Sequence, residues 1–230
     1  MAQAGNQAGE SVGRHYRGEL GEEYFGWQGS RADLEAAIER TKFAPHVSDT
    51  DTVVDFGCGA GALLAILPAR ERLGIEPNPP ARRAGESRGL RVVASTSELD
   101  DAMADVVISN HALEHTLAPL DELRELRRIL KPGGRLVLWL PLDDWRAQRR
   151  PREDDVNHHL YTWTPLLLHN LLEEAGFAVH ECRVVTHAWP RYYPILFRRL
   201  PRRAFDALAR AWAVLRRRRQ VMALAERPSP

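Results

Sequence analysis

Between residues 51 and 141, five short and almost uninterrupted apolar runs alternate with turns and segments of helical period. The runs are "DTVVDF" (51–56), "RLGIE" (72–76), "LRVVA" (90–94), "ADVVIS" (104–109) and "RLVLWLP" (135–141). Each is too short for a buried helix, and none shows the polar alternation of a strand with one wet face. A strand apolar on both sides has to be covered on both sides, which points to a parallel sheet sandwiched by crossover helices. The intervening sequence supplies helices. "GALLAILPAR" reads as one ending near Pro68, and "PPARRAGESRG" as one started by proline and stopped at Gly89. "APLDELRELRRILKPGG" is strongly amphipathic through Leu120, Leu123, Leu126, Ile129 and Leu130. In such a sheet ligands sit outside the carboxyl ends of the strands, near the reversal of strand order. The residues leaving each strand are therefore where chemistry is to be sought.

The rest of the chain extends this pattern. Residues 1–13 are small, polar and glycine-rich, the composition of a loosely held tail. Residues 16–28 mix aromatic and polar side chains, as a surface segment or a lid would. Residues 1–29 thus form a flexible tail with a lid segment, and 30–230 a single domain. A helix follows, with Ser30 as its N-cap and Leu34, Ile38 and Phe43 as its apolar stripe. After the fifth strand, 143–163 is a long polar loop, a length often associated with function. "TPLLLHNLLEEAGF" is a helix capped by Thr164, with Pro165 at its first position and a stop at Gly176. "AVHECRVVTHAW" is a sixth strand, an Arg-rich helical insertion occupies about 191–218, and "RQVMALAE" is a last strand.

Composition narrows the class. At 230 residues with a net charge of +1, the chain is long enough for one good core and has no global pull toward nucleic acid or membrane. Its two cysteines, Cys58 and Cys182, are far apart in sequence, which argues against a disulfide framework and for a reducing cytoplasm. The N-terminus lacks the basic-then-apolar pattern of a signal peptide.

"VVDFGCGAGALL" (53–64) is a strand, a glycine turn and a helix start. Gly57, Gly59 and Gly61 let the backbone turn sharply and approach a ligand, toward which the following helix points free N–H groups. The turn alone leaves the cofactor open: Gly57-x-Gly59-x-x-Ala62, with Glu76 downstream, also fits a dinucleotide fingerprint. Asp55 shifts the balance. A carboxylate two residues before the first glycine suits a cationic or amino-acid moiety better than a pyrophosphate.

Asp55-Phe-Gly57-Cys-Gly59-Ala-Gly61 resembles motif I of class I S-adenosylmethionine-dependent methyltransferases of the small-molecule type. Glu76 in "LGIEPN" is similar to the acidic residue that closes their second strand. "ADVVISNHALEHTLAPLDELRELRRILKPGGRLVLWLP" looks like their fourth strand, helix, Lys-Pro-Gly-Gly turn and fifth strand. The likeness covers roughly residues 50–190. It implies a Rossmann-like sheet of seven strands with helices on both faces, its last strand antiparallel between the fifth and sixth. It implies S-adenosylmethionine held by Gly57, Cys58, Gly59 and Gly61, with Asp55 shaping the loop and its methionine end. Glu76 and Pro77 would lie at the ribose, and Asn110 beneath the methionine moiety. One departure stands out. Where the family often has an acidic residue near adenine, this chain has "VVASTSELDD", leaving Ser95, Thr96 or Ser97 to that task.

The acceptor side is read from residue chemistry. His111, Glu114 and His115 spell H-x-x-E-H, an inverted zinc-protease signature. His111 follows a strand directly, so the two histidines need not share a helical face, and no downstream residue has a distinctive claim as third ligand. The expectation is therefore no metal, with Asn110, His111 and His115 facing substrate and Glu114 structural. "NHHLYTW" (157–163) is the candidate acceptor wall, with His158 and His159 as base or donor and Tyr161 and Trp163 shaping the pocket. Against this, one histidine caps the next helix and the aromatics fill core. Asp143 and Asp144, just past the fifth strand, read first as solvated loop carboxylates, with a place facing substrate as the alternative. The segment 191–219 holds ten arginines and one aspartate. From Phe205 on, Leu208, Trp212 and Leu215 form its apolar stripe. It is read first as an insertion packed on the sheet, with contact to an anionic membrane surface or to an acidic or phosphate-bearing partner as alternatives.

The expected activity is methyl transfer from S-adenosylmethionine to a small-molecule or glycan-type acceptor, an oxygen being favoured, in the cytoplasm and without nucleic acid. An NAD(P)-dependent oxidoreductase, a metalloprotease and a non-catalytic S-adenosylmethionine-binding protein are the rivals.

Overall fold

The computed structural model describes residues 21, 26, 31–144, 149–152, 155 and 157–229. The predicted tail and lid (1–29, apart from Gly21 and Gly26) and the predicted cap Ser30 lie outside the described residues. Seven strands form one sheet: β1 Thr52–Phe56, β2 Glu71–Ile75, β3 Arg91–Val93, β4 Ala104–Asn110, β5 Leu130–Leu142, β6 Ala178–Thr186 and β7 Arg219–Glu226. Their order is β3-β2-β1-β4-β5-β7-β6. Parallel pairing joins β3 through β5, and β7 runs antiparallel to both of its neighbours. The last strand thus lies where the family resemblance placed it. The order reverses between β1 and β4, which sets the carboxyl ends of these two strands at the switch point.

The apolar runs are buried on both faces, as their composition required. Consecutive residues of one strand enter different cores: Val54, Val107, Leu136 and Leu138 one, and Val53, Val106, Val137 and Trp139 the other. This is the period of two of a pleated strand. The first face is covered by α4 (Pro119–Ile129) through Leu123, Leu126 and Ile129, and by α5 (Pro165–Glu174) through Leu168 and Leu172. The second receives α1 (Ala32–Phe43) through Phe43, and α2 (Ala62–Ala65) through Leu64. Among the described residues the other α-helices are α3 (Pro79–Ser87), α6 (Tyr193–Arg199) and α7 (Arg202–Leu215). Among the described residues no helix is long and apolar enough to cross a membrane.

Two helices differ from the expectation. The one predicted to reach Pro68 ends at Ala65. Ile66 and Leu67 then donate to Leu63 and Leu64 in tighter three-residue turns, because proline disfavours helical geometry in the residue before it. In the Arg-rich segment the buried stripe is Phe205, Ala209 and Ala213, not Phe205, Leu208, Trp212 and Leu215. Leu215 is 75% exposed and Leu208 is exposed as well. The alanines let α7 approach α1, where Phe205 and Ala209 pack on Ile38. The guanidinium of Arg202 donates to the carbonyls of Ala37 and Ile38 and to the Thr41 hydroxyl. For α5, Thr164 caps the helix as predicted, its hydroxyl accepting from the Leu167 N–H.

At the switch point the turns after β1 and β4 touch. Gly57 has φ +78°, and a Cβ there would lie 2.3 Å from the Cβ of Ala112. The amides of Gly57 and Cys58 both donate to the Ile75 carbonyl, and the Ser109 hydroxyl donates to the Phe56 carbonyl. Gly57→Ala meets both a left-handed backbone and a rigid neighbour. We expect it to cost about 2–4 kcal/mol of stability by urea unfolding; a loss below about 1 kcal/mol would contradict this packing.

Asp55 is buried in β1, under this turn. Burial, with the charge of Glu76 adding to it, pushes its carboxyl up to about 7. A folded-state value above the unfolded one gives a contribution that is complete below about pH 4 and lost as pH rises through 7. The ligand-free protein should therefore lose on the order of 2 kcal/mol from this group between pH 5 and pH 8. Asp55→Asn should flatten that part of the melting profile; parallel profiles for the two proteins would refute the assignment.

Candidate active site

A cavity of about 1110 Å³ opens over the carboxyl ends of β1, β2 and β4. One half is built by three short turns. After β1, Gly57 and Gly59 line it; Gly59 has φ +53° and nothing within 4 Å of where its Cβ would be, so the backbone lies open to a ligand. After β2, the carboxylate of Glu76 is gripped by two backbone donors, accepting from Gly59 N at 3.0 Å and Asn78 N at 2.8 Å. Burial raises the Glu76 carboxyl above its usual range, and these two amides work against the rise. Arg82 donates to the carbonyls of Glu76 and Pro77, fixing the turn from behind. After β3, Ser95 and Thr96 line the wall. Ser95 is occupied in a capping box with Glu98, while buried Thr96 shares this wall with Glu122 of α4. Burial, followed by repulsion from Glu125 and Asp121, pushes the Glu122 carboxyl up to about 7.

The other half is a polar seam at the ends of β4, β5 and β7. Lys42 of α1 is buried and ion-paired with Glu39, which also meets His187 at 3.1 Å. Burial pushes Glu39 up, but Lys42 and His187 more than offset it and hold the carboxyl down at about 2. Lys42 donates onward to Asn110 Oδ1 (3.3 Å) and Gln220 Oε1 (3.0 Å). The Gln220 amide nitrogen then donates to His111 Nε2 at 2.8 Å, which leaves the proton of that imidazole on Nδ1, 3.4 Å from Glu114 Oε1. His111 sits at φ +57°, and Leu113–His115 form a single tight turn. The Leu160 amide donates to the Glu114 carbonyl and draws the 157–163 segment over this turn. His159 thereby comes within 4.0 Å of Glu114 and takes a 2.8 Å bond from its Nδ1 to Asp143. Burial lowers the His159 imidazole, but Asp143, then Glu114, more than offset that and raise it above its usual range.

The expected site residues divide. Gly57, Gly59, Glu76, Pro77, Ser95, Thr96, Asn110, His111, His115 and His159 line the cavity, as do Asp143 and Asp144. Asp55, Cys58 and Gly61 stand behind the loop. Asp55 is buried; the Cys58 sulfur is where a Cβ on Gly74 would fall; and Gly61 packs against Leu90. Burial raises the Cys58 thiol well above its usual range. His158 is exposed and off the wall, Tyr161 is spent on the Leu117 carbonyl, and Trp163 is core. These three are corrected as wall residues: the 157–163 turn presents only Asn157 and His159 to the cavity. Sequence reasoning missed Glu39, Lys42, Glu122, His187 and Gln220. Lys42 left a trace, since it continues the four-residue spacing of Leu34 and Ile38. Arg216–Arg219, the end of the Arg-rich segment, also lie on the cavity wall.

The residues fit S-adenosylmethionine. An open glycine backbone, a fixed carboxylate and a buried Thr96–Glu122 pair follow one another along one half, which leaves the polar seam for an acceptor. The family model for a methyltransferase domain matches residues 28–182. The malonyl-[acyl-carrier protein] O-methyltransferase of Marinomonas sp. (strain MWYL1) is 32% identical over 123 residues, 47% of this chain and 45% of its own length. The probable tRNA methyltransferase 9B of Bos taurus is 26% identical over 150 residues, 62% of this chain and 32% of its own length. The chain thus spans less than half the length of these curated relatives. A Thermotoga maritima structure described as an SAM-dependent methyltransferase, possible histamine N-methyltransferase, shares the fold with a TM-score of 0.64. It covers 90% of this chain and 96% of its own at 18% identity. With a family model matching well over half of it, and with this fold and cofactor half, the chain belongs to the class I S-adenosylmethionine-dependent methyltransferases.

Proposed function

We propose that this chain moves a methyl group from S-adenosylmethionine to an oxygen of a small-molecule or glycan-type acceptor that carries an anionic group. The observation behind this reading is that the cofactor half shares one cavity with His115 and His159, which stand in front of the buried Glu114 carboxylate. The bound cofactor supplies an activated methyl on a sulfonium. The chain has to align two reactants and exclude water, which is where most of the advantage of a displacement reaction lies. Gly57 and Gly59 admit the cofactor backbone, Glu76 takes the ribose hydroxyls, and Thr96 with Glu122 stands at the adenine end. Asn110, fixed by Lys42, supports the methionine end. An alcohol is a poor nucleophile until it loses its proton, and the carboxylate–imidazole cluster is the place for that loss.

The anionic group is inferred from Arg216–Arg219. All four line the cavity, and none has an ion-pair partner among the described residues. Arginine forks match phosphate and carboxylate geometry. The same run suits an oligonucleotide, a second reading that the tRNA methyltransferase relative also favours.

S-Adenosylhomocysteine should bind and raise the melting temperature, and Glu76→Ala should remove most of that rise. No heat of binding at millimolar ligand would sink the cofactor assignment, and a shift with NAD(P) alone would favour the oxidoreductase. In an acceptor screen with labelled cofactor, phosphorylated or carboxylated alcohols should outperform their neutral counterparts. Replacing Arg217 and Arg218 together by alanine should raise the acceptor KM at least tenfold with a smaller change in kcat. Labelling confined to short RNA would move the assignment to the second reading.

A further inference from the structure

Glu114 is fully buried, and among the described residues neither of its carboxylate oxygens has a hydrogen-bond partner. An uncompensated buried carboxylate is expensive, and such groups in proteins are paired or coordinate a cation. Around Glu114 Oε1 stand imidazole nitrogens of His111, His115 and His159. Glu114 Oε1 lies 3.9 Å from His115 Nε2 and 4.0 Å from His159 Nε2, and one ligand atom from each residue falls within 4.8 Å of the others. These separations are too long for direct hydrogen bonds. They are close to what a shared ion imposes: bonds of about 2.0–2.2 Å to N and O place ligand atoms roughly 3–3.5 Å apart. Side-chain movements of about 1 Å would close the set.

The surroundings are arranged as a metal site needs. His159 Nδ1 is hydrogen-bonded to Asp143 Oδ2 at 2.8 Å, which puts the proton on Nδ1 and turns the Nε2 lone pair toward Glu114. A carboxylate behind a ligating histidine is the usual means of fixing its tautomer and raising its basicity. His111 Nδ1 approaches the same Glu114 oxygen from the other side. His115 and His159 line the cavity, so coordination positions left open by the protein would face the acceptor. The expectation against a metal rested on His111 and His115 not sharing a helical face and on the lack of a distinctive third ligand downstream of H-x-x-E-H. The fold supplies one in His159, carried over the turn by the Leu160–Glu114 backbone bond.

We propose that Glu114, His115 and His159 bind one divalent metal ion that takes an acceptor oxygen in an open coordination position, with Asp143 as the residue that orients His159. Two imidazoles and one carboxylate suit Mn²⁺ or Zn²⁺ better than Ca²⁺ or Mg²⁺, which prefer all-oxygen sites. Coordination lowers the pKa of the acceptor hydroxyl. Its proton leaves to solvent, the O–CH₃ bond forms as the S–CH₃ bond breaks, and the pair on sulfur neutralises the sulfonium. The chemistry rests on the methyltransferase reading; the binding does not.

Protein stripped with a chelator should take up one equivalent of Mn²⁺, followed by calorimetry and by the loss of the free-ion electron paramagnetic resonance signal, with Zn²⁺ titrated in parallel. Glu114→Gln and His159→Ala should weaken binding at least 100-fold and Asp143→Asn 10- to 100-fold, with S-adenosylhomocysteine binding retained as the control for folding. Should Glu114→Gln not fold, the His159 and Asp143 variants decide. No uptake of either ion at millimolar concentration, or unaltered uptake by the variants, overturns the site. If S-adenosylhomocysteine still binds in that case, the cofactor assignment stands and a protonated His159 is left to offset Glu114. Full methyl transfer by the stripped protein would overturn the catalytic use of the ion.

Discussion

One buried ammonium joins the parts of the molecule that make the site. Lys42 comes from a helix before the sheet begins, yet it is paired with Glu39 of its own helix, donates to Asn110 at the end of β4, and donates to Gln220 at the start of β7. A charge taken out of water needs its partners in place, and losing any one leaves the rest uncompensated. The position of α1 is thereby coupled to the carboxyl ends of two strands. Gln220 passes the constraint on: with its carbonyl committed to Lys42, its amide must donate, and that sets the tautomer of His111. The residues nearest the acceptor are ordered by a chain of hydrogen bonds that starts on the far side of the cavity.

This dependence explains why the two halves of the site were unequally legible in the sequence. The cofactor half is made of segments that each act locally. The turn at 57–59, the turn at 76–78 and the turn at 94–96 leave adjacent parallel strands, so a pattern of apolar runs and glycines was enough to place them side by side. Even there, local pattern misjudged direction. Cys58 and Gly61 belong to the motif but face β2 and Leu90, because in a tight turn successive residues point to opposite sides. The acidic residue looked for after β3 did not come from that segment. Glu122 reaches the same end of the cavity from α4, one position before Leu123 of the buried stripe, and a helical period alone does not say that such a glutamate is tucked inward.

The acceptor half has no local signature, since its members are far apart in the chain. His111 and Glu114 follow β4, Asp143 follows β5, His187 follows β6, and Gln220 opens β7. They meet because β7 inserts antiparallel between β5 and β6, which brings the start of the last strand beside the ends of its neighbours. The same insertion delivers Arg216–Arg219 to the cavity wall. Their place there was not legible in the Arg-rich segment, because the sequence does not say which edge of the cavity the last strand begins from. The histidines of "NHHLYTW" show the complementary difficulty. A shift of one residue separates the inward His159 from the exposed His158, and that choice is set by a backbone bond from Leu160 to Glu114 rather than by composition.

The division has a functional consequence. A cradle of glycine backbone and one gripped carboxylate can present the same methyl donor with little dependence on the rest of the chain, whereas the acceptor half is assembled from side chains on five separate loops or strand ends. Substitutions there can leave the sheet and the cofactor turns intact while changing charge and reach. Specificity on such a scaffold resides in residues that the shared motifs do not include. In this chain the residues proposed for that role are the arginine run, the Lys42–Gln220 link and the Glu114–His115–His159 cluster. The cluster is set apart by a buried carboxylate that has no hydrogen-bond partner among the described residues, a cost that neither the fold nor the cofactor half requires.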